Sequence, residues 1–192
     1  MVYKFSICLF LICLLSFACS KEKAGTCKHC DSVEKYDKSQ LPKGKLSYKA
    51  PANWSKEAAA NSMRLEQYKI AANSTLSISS LAGDAGGIDA NLERWKKQFI
   101  PESISQPIIK KQFNHNSIPV THLLISGTYL ESKNPFEVNA EKISHENWSA
   151  YIIVAELAES TWFFKALGPT AEIKAAEERL NEFMMSLNIL GV

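Results

Sequence analysis

Hydrophobic and polar residues change their spacing several times along the chain, and each change marks an element. Met1 to Lys4 is a short basic start, and Phe5 to Phe17 follows without a charged residue. A membrane-spanning helix needs about 20 apolar residues, so this shorter run predicts the apolar part of a signal peptide covering residues 1–18. From residue 19 to residue 45 apolar side chains become sparse, with Gly25, Pro42 and Gly44 as breakers. Such a stretch cannot bury enough surface to offset its ordering entropy, which predicts a flexible basic tether.

From Leu46 onward the alternation of strands takes over. Leu46 to Ala50 predicts a short strand ended by Pro51, and Met63 to Ala71 alternates with a period near two. Ala72-Asn73-Ser74 then turns the chain into Thr75 to Leu81, which makes a hairpin. Gly83-Asp84-Ala85-Gly86-Gly87 breaks the pattern, and Ile88, Leu92, Trp95 and Phe99 follow on one face of a helix closed by Pro101. Ile108 to Phe113, Pro119 to Leu130, Trp148 to Leu157 and Thr161 to Leu167 are rich in β-branched and aromatic residues and predict further strands. Tight turns at Asn114 to Ser117 and at Glu159-Ser160 make the sheet mainly antiparallel. Gly168-Pro169-Thr170 opens a last helix, whose Ile173, Ala176, Leu180, Phe183, Met184 and Leu187 share a face. The expectation is one α+β domain over residues 46–192, a mainly antiparallel sheet of about six to seven strands covered by two helices.

Composition narrows the partners. The chain has 192 residues, with 22 Lys plus Arg against 20 Asp plus Glu, a net charge of +2. So small a charge generates no long-range field that would gather a nucleic acid, and none is expected as partner. Between Ser20 and Lys49 there are eight Lys and four acids, so the tether and the first strand together carry four excess positive charges. These either draw the tether along anionic headgroups or keep it soluble.

The leader ends in Leu15-Ser16-Phe17-Ala18-Cys19-Ser20, which resembles the lipobox of bacterial lipoproteins. In that family the cysteine after the small residue is diacylated on sulfur and becomes the new N-terminus. The resemblance implies lipid on Cys19 and a place in the cell envelope, with Ser20 favouring the outer membrane, facing the periplasm or the cell surface. The membrane is then the first partner, since each buried CH₂ adds about 0.8 kcal/mol to anchoring. The other reading is an ordinary cut after Ala18, with Cys19 as a free thiol.

Cys8 and Cys13 leave with the leader, so Cys27 and Cys30 are the remaining thiols, in Cys27-Lys28-His29-Cys30-Asp31. Two thiols at this spacing can bind a soft metal or close a redox or structural disulfide. Haem attachment would need His where Asp31 stands, and a closed zinc site would need a fourth ligand beyond Cys27, Cys30 and His29. A thioredoxin-type centre would need a strand before Cys27, which the tether does not predict. Everything after Cys30 is free of cysteine, so the domain does not rely on disulfides.

Chemistry in the domain itself is sparse. The Gly83–Gly87 stretch could present backbone N–H groups to an anion, which makes Asp84, Gly86 and Gly87 candidate ligand contacts, together with Asn91 and Arg94 on the polar strip of the following helix. The competing reading is a turn and helix cap, and it is favoured because Asp84 would repel an anion. His115, His122 and His145 are isolated, without the spacing of paired metal ligands, and no serine lies in Gly-x-Ser-x-Gly. No catalytic residue and no cofactor is expected.

Trp54, Met63 to Tyr68, the Gly-Asp-x-Gly-Gly run, Asn91, Arg94-Trp95, Gln98-Phe99, and the ending from Trp162 through Gly168-Pro169 to Ser186-Leu187 carry a resemblance. Over residues 46–190 the chain resembles a family of bacterial secreted or lipid-anchored proteins of unknown function, and more distantly PsbP-type domains. The resemblance implies an α/β/α sandwich serving as an accessory or binding module for an envelope protein complex or a small ligand. A thiol-redox or metal-handling role through Cys27 and Cys30 is the alternative.

Overall fold

The computed structural model describes residues 38–105, 108–134, 137 and 140–190. Strands β2 (Ser55–Glu57), β3 (Glu66–Ala71), β4 (Ser74–Ala82), β5 (Ile109–His115), β6 (Ile118–Ser132), β7 (Lys142–Glu156) and β8 (Ser160–Pro169) form a seven-stranded sheet in the order β2-β3-β4-β8-β7-β6-β5. Every neighbour pair in it is antiparallel. A separate two-stranded sheet joins β1 (Lys45–Ser47) to β9 (Asn188–Leu190). The helices are α1 (Ile88–Lys96) and α2 (Thr170–Met185).

Period-two alternation sorts the core into two layers. In β7, Tyr151, Ile153 and Ala155 face one side while Ala150, Ile152 and Val154 face the other. The first side is covered by α2 through Ile173, Ala176, Leu180 and Phe183, packed with Leu76, Ile78 and Phe164. On the second side Leu92 and Trp95 of α1, then Phe99, pack on Leu123, Ile125 and Phe163. Burying one such side chain contributes about 1.5–3 kcal/mol, so these stripes hold both helices to the sheet. The α+β sandwich with helices on both faces is thus the observed fold.

Several boundaries shift for local reasons. The strand expected from Met63 starts at Glu66, because the Asn61 side chain accepts from Met63 N and its carbonyl from Arg64 N, turning that segment. The helix expected to reach Phe99 ends at Lys96, and Phe99 instead bridges in extended form to Tyr129 while remaining 1% exposed. The turn expected over Asn114 to Ser117 contracts to Asn116 and Ser117, both at positive φ, so β5 runs on through His115. The strand expected from Trp148 begins at Lys142, where Tyr129, His145 and Trp148 stack across β6 and β7. The strand expected over Leu46 to Ala50 stops at Ser47, and Tyr48 turns in against Trp162, Phe164 and Phe183.

His122 of β6 is buried against Tyr151, ring centroids 4.2 Å apart, and among the described residues its Nε2 has no hydrogen-bond partner. Burial, and then the charge of Lys111, push its pKa from 6.5 down to about 4. The unfolded chain therefore binds this proton more readily, and stability falls as pH drops from 6.5 toward 4. At about 1.4 kcal/mol per pKa unit the loss approaches roughly 3 kcal/mol. Urea midpoints at pH 7.5 and 4.5 should differ less in His122→Phe than in the parent; equal differences would show that this ring is not the sensitive group.

Candidate functional site

The α1 side of the sheet is apolar over β6 and β7 but polar over β3 and β4. The register sets Gln67, Ser77, Lys165, Ile152 and Leu123 in one row across five strands, so Lys165 stands where polar gives way to apolar. Its Nζ donates to Gln98 Oε1 at 2.5 Å and lies 5.4 Å from the centroid of the Tyr129 ring. Arg64, from the turn before β3, donates from Nη1 to Gln67 Oε1 at 2.6 Å. Arg94 of α1 donates from Nη2 to Asn91 Oδ1 at 2.6 Å.

Arg64 and Arg94 lie close enough to Lys165 to act on its charge. The Lys165 pKa falls from 10.5 to about 7, through burial first and then through these two guanidinium groups. Arg64 also acts on Tyr129, whose hydroxyl is raised by burial and by Glu131 and lowered by Arg64. Among the described residues none of the three cations is in a salt bridge. Of the three only Lys165 is desolvated, Arg64 being half-buried and Arg94 exposed, and a buried cation without a counter-charge opposes folding and is found disproportionately at functional sites. Chemically, the cluster can hold and orient an anion.

The sequence candidates divide. In the glycine loop the N–H groups of Gly86 and Gly87 both turn back on Asp84, to its side chain at 3.2 Å and its carbonyl at 2.8 Å. Asn91 is buried, and its amide donates to the carbonyls of Ala85 at 3.0 Å and Gly87 at 2.8 Å. The loop is thereby stapled to α1 and its inner N–H groups are used internally, as a turn, but Asp84 does not cap the helix: the N-cap is Gly87, with no side-chain cap hydrogen bond, because the Asp84 carboxylate is taken by Gly86 N within the turn. Arg94 alone among these candidates joins the cationic cluster, aimed by Asn91. Cys19, Cys27 and Cys30 lie outside the described residues.

Arg64, Gln98, Tyr129 and Lys165 were not among the sequence candidates. The signal for Lys165 was present, as a single charge inside Trp162-Phe163-Phe164-Lys165-Ala166-Leu167. Arg64 carries no such signal, whereas Gln98 shares with Asn91 and Arg94 the polar strip that the helical spacing marks. On the α2 side, a cavity of 250 Å³ is lined by Ser126, Ser149 and Thr170, whose hydroxyls satisfy one another in a chain at 2.7 and 2.9 Å. Among the described residues no group of three or more His, Cys, Asp or Glu is placed to hold a metal ion, and no helix is long and apolar enough to cross a membrane.

No protein-family model matches the chain, and no curated protein matches it. Solved structures do. The solution structure of cyanobacterial PsbP (CyanoP) from Synechocystis is similar at a TM-score of 0.48 and 9% identity, covering 86% of this chain and 99% of that one. A Pseudomonas aeruginosa protein of unknown function, PA94, is similar at a TM-score of 0.40 and 9% identity, covering 83% of this chain and 89% of that one.

Proposed function

We propose that this chain is a non-enzymatic binding module, carried at a membrane surface by lipid on Cys19, whose α1 side receives an anionic group. The observation that supports the reading is Lys165, set on the sheet beside Gln98 and Tyr129, with Arg64 and Arg94 near enough to act on its charge and, among the described residues, no salt bridge to any of the three. A bound anion supplies the missing counter-charge. The anchor rests on the leader and on Ala18-Cys19-Ser20. The tether would then set the distance from the membrane at which the domain meets its ligand or an envelope protein partner.

The test is the thermal midpoint of the full chain in mild detergent, measured with saturating small anions, neutral sugars and polyamines. A ligand at a hundred times its Kd stabilises by about 2.7 kcal/mol. For a domain of this size that is a rise of roughly 5–10 °C. At least one class of anion should produce it, and sugars and polyamines should not; no response to any anion defeats the reading. Labelled palmitate should enter the parent chain and not Cys19→Ser, and equal labelling removes the anchor.

A further inference from the structure

We propose that the cavity between α2 and the sheet binds a free α-amino acid with a short, uncharged side chain. It lies on the face of the sheet opposite Lys165, so this site is independent of the anion reading and goes beyond it.

Thr170, Lys174, Glu177 and Asn181 recur at helical spacing along α2 and share one face. Both ends of this polar stripe are fixed to β7. Ser149 Oγ donates to Thr170 Oγ1 at 2.9 Å, and the Tyr151 hydroxyl donates to Asn181 Oδ1 at 2.7 Å. The stripe therefore looks onto the sheet, and Lys174 and Glu177, between its fixed ends, edge the 250 Å³ cavity. Ile109, Leu124 and Ile173 supply the apolar walls of that cavity.

Three groups at the cavity are left for a ligand. Ser149 spends its one proton on Thr170, so Ser126 donates to Ser149 across 2.7 Å, and the O–H of Thr170 has no acceptor among the described residues. Lys174 and Glu177 make no ion pair among the described residues, although Glu93 with Lys96 and Arg179 with Glu182, at the same spacing, close at 2.7 and 2.8 Å. An anion alone would compensate Lys174 and leave Glu177 bare, and a cation alone the reverse. A zwitterion answers both. Its carboxylate takes the Lys174 ammonium and the Thr170 hydroxyl, one turn apart, and its ammonium takes the Glu177 carboxylate. Three residues advance a helix by about 4.5 Å, a spacing suited to two charges carried on a single carbon. The side chain then meets the apolar walls, and since ligand cavities of ordinary size start at about 300 Å³, it must be short. Ser126 and Ser149, buried and uncharged, offer nothing to draw a charged side chain inward.

Isothermal titration of the full chain in mild detergent tests this with L-alanine, L-serine and L-tryptophan. Propionate and ethylamine serve as alanine without its ammonium and without its carboxylate. Alanine or serine should bind roughly tenfold or more tightly than either half, because each half lacks one charge-assisted contact. Lys174→Met and Glu177→Gln should each weaken that binding by roughly tenfold or more, whereas Arg179→Gln, at an exposed pair with Glu182, should leave it unchanged. Lys174 and Glu177 are both exposed, so their variants should keep the fold, which urea midpoints check. Propionate or tryptophan matching alanine, with the same loss in Lys174→Met, would overturn the amino-acid assignment. Amino-acid binding indifferent to both variants, or no binding of alanine and serine, would overturn the site. A response to anions that survives Lys174→Met belongs to the other face, so the two readings fail separately.

Discussion

Gly168→Ala is expected to be the most damaging conservative change in the domain. Gly168 lies in β8 opposite Ser149, and a Cβ added there would sit 2.0 Å from Ser74 Oγ, 2.6 Å from its Cβ and 2.8 Å from its Cα. Rotating a side chain cannot relieve a clash with Cα, so β4 would have to move. Ser74 is fully buried and donates to Glu172 Oε2 at 2.8 Å, and Asn73 gives the same carboxylate two more hydrogen bonds. One methyl group would therefore part the β3–β4 turn from the first turn of α2. Overpacking costs about 1–3 kcal/mol, and the strained hydrogen bonds bring the expected loss to roughly 4 kcal/mol. That is a large share of a typical stability of about 5–15 kcal/mol. Gly86→Ala is the contrast: its φ is +81° but nothing lies within 4 Å of the new Cβ, so backbone strain alone should cost about 1 kcal/mol. Urea denaturation of both variants decides, and a smaller loss at Gly168 than at Gly86 would refute the close-approach argument.

Lys165→Met is expected to do the opposite, making the fold more stable while emptying it of its binding capacity. Methionine keeps the length of the stem and removes a charge that burial, Arg64 and Arg94 all disfavour. The folded pKa is about 7 against an ordinary 10.5, so stability declines as pH falls from 10.5 to 7 and stays at the lower level below that. A shift of that size corresponds to about 5 kcal/mol, of which roughly 2 kcal/mol is expected after discounting for water contact and the lost Gln98 hydrogen bond. Parent and variant should be closest in stability near pH 10.5, draw apart as pH falls toward 7, and keep a constant gap below that. A variant less stable than the parent at pH 6 would mean that the contacts to Gln98 and Tyr129 outweigh the repulsion. Stability given up at a cluster of like charges is the usual mark of a site retained for binding.

The layers and their helices were legible because burial on both faces imposes a period. Ile88, Leu92 and Trp95 lie on the buried side of α1, and Ile173, Ala176, Leu180 and Phe183 on that of α2, as their spacing requires. Short or polar elements left no such trace. The three-residue strands β2 and β9 are defined by their partners, and Lys142 to Asn147 reads as loop until Tyr129, Glu131 and Trp148 are beside His145. Part of the candidate site was hidden for the same reason. Arg94 and Gln98 could be picked out on one polar strip, but Arg64 comes near Lys165 only through the order β3-β4-β8.

That strand order also governs how the protein can be made. The β3–β4 hairpin and the β5–β6–β7 meander join only through β8, which ends at residue 169 of 192. Until a ribosome has added that strand, β4 and β7 each present an open edge. The β1–β9 pairing, Lys45 with Leu190, spans still more of the chain and closes later than the sheet. A growing chain thus cannot complete its seven-stranded sheet before β8 has emerged. Until then its two open edges are surfaces that a holding chaperone can cover.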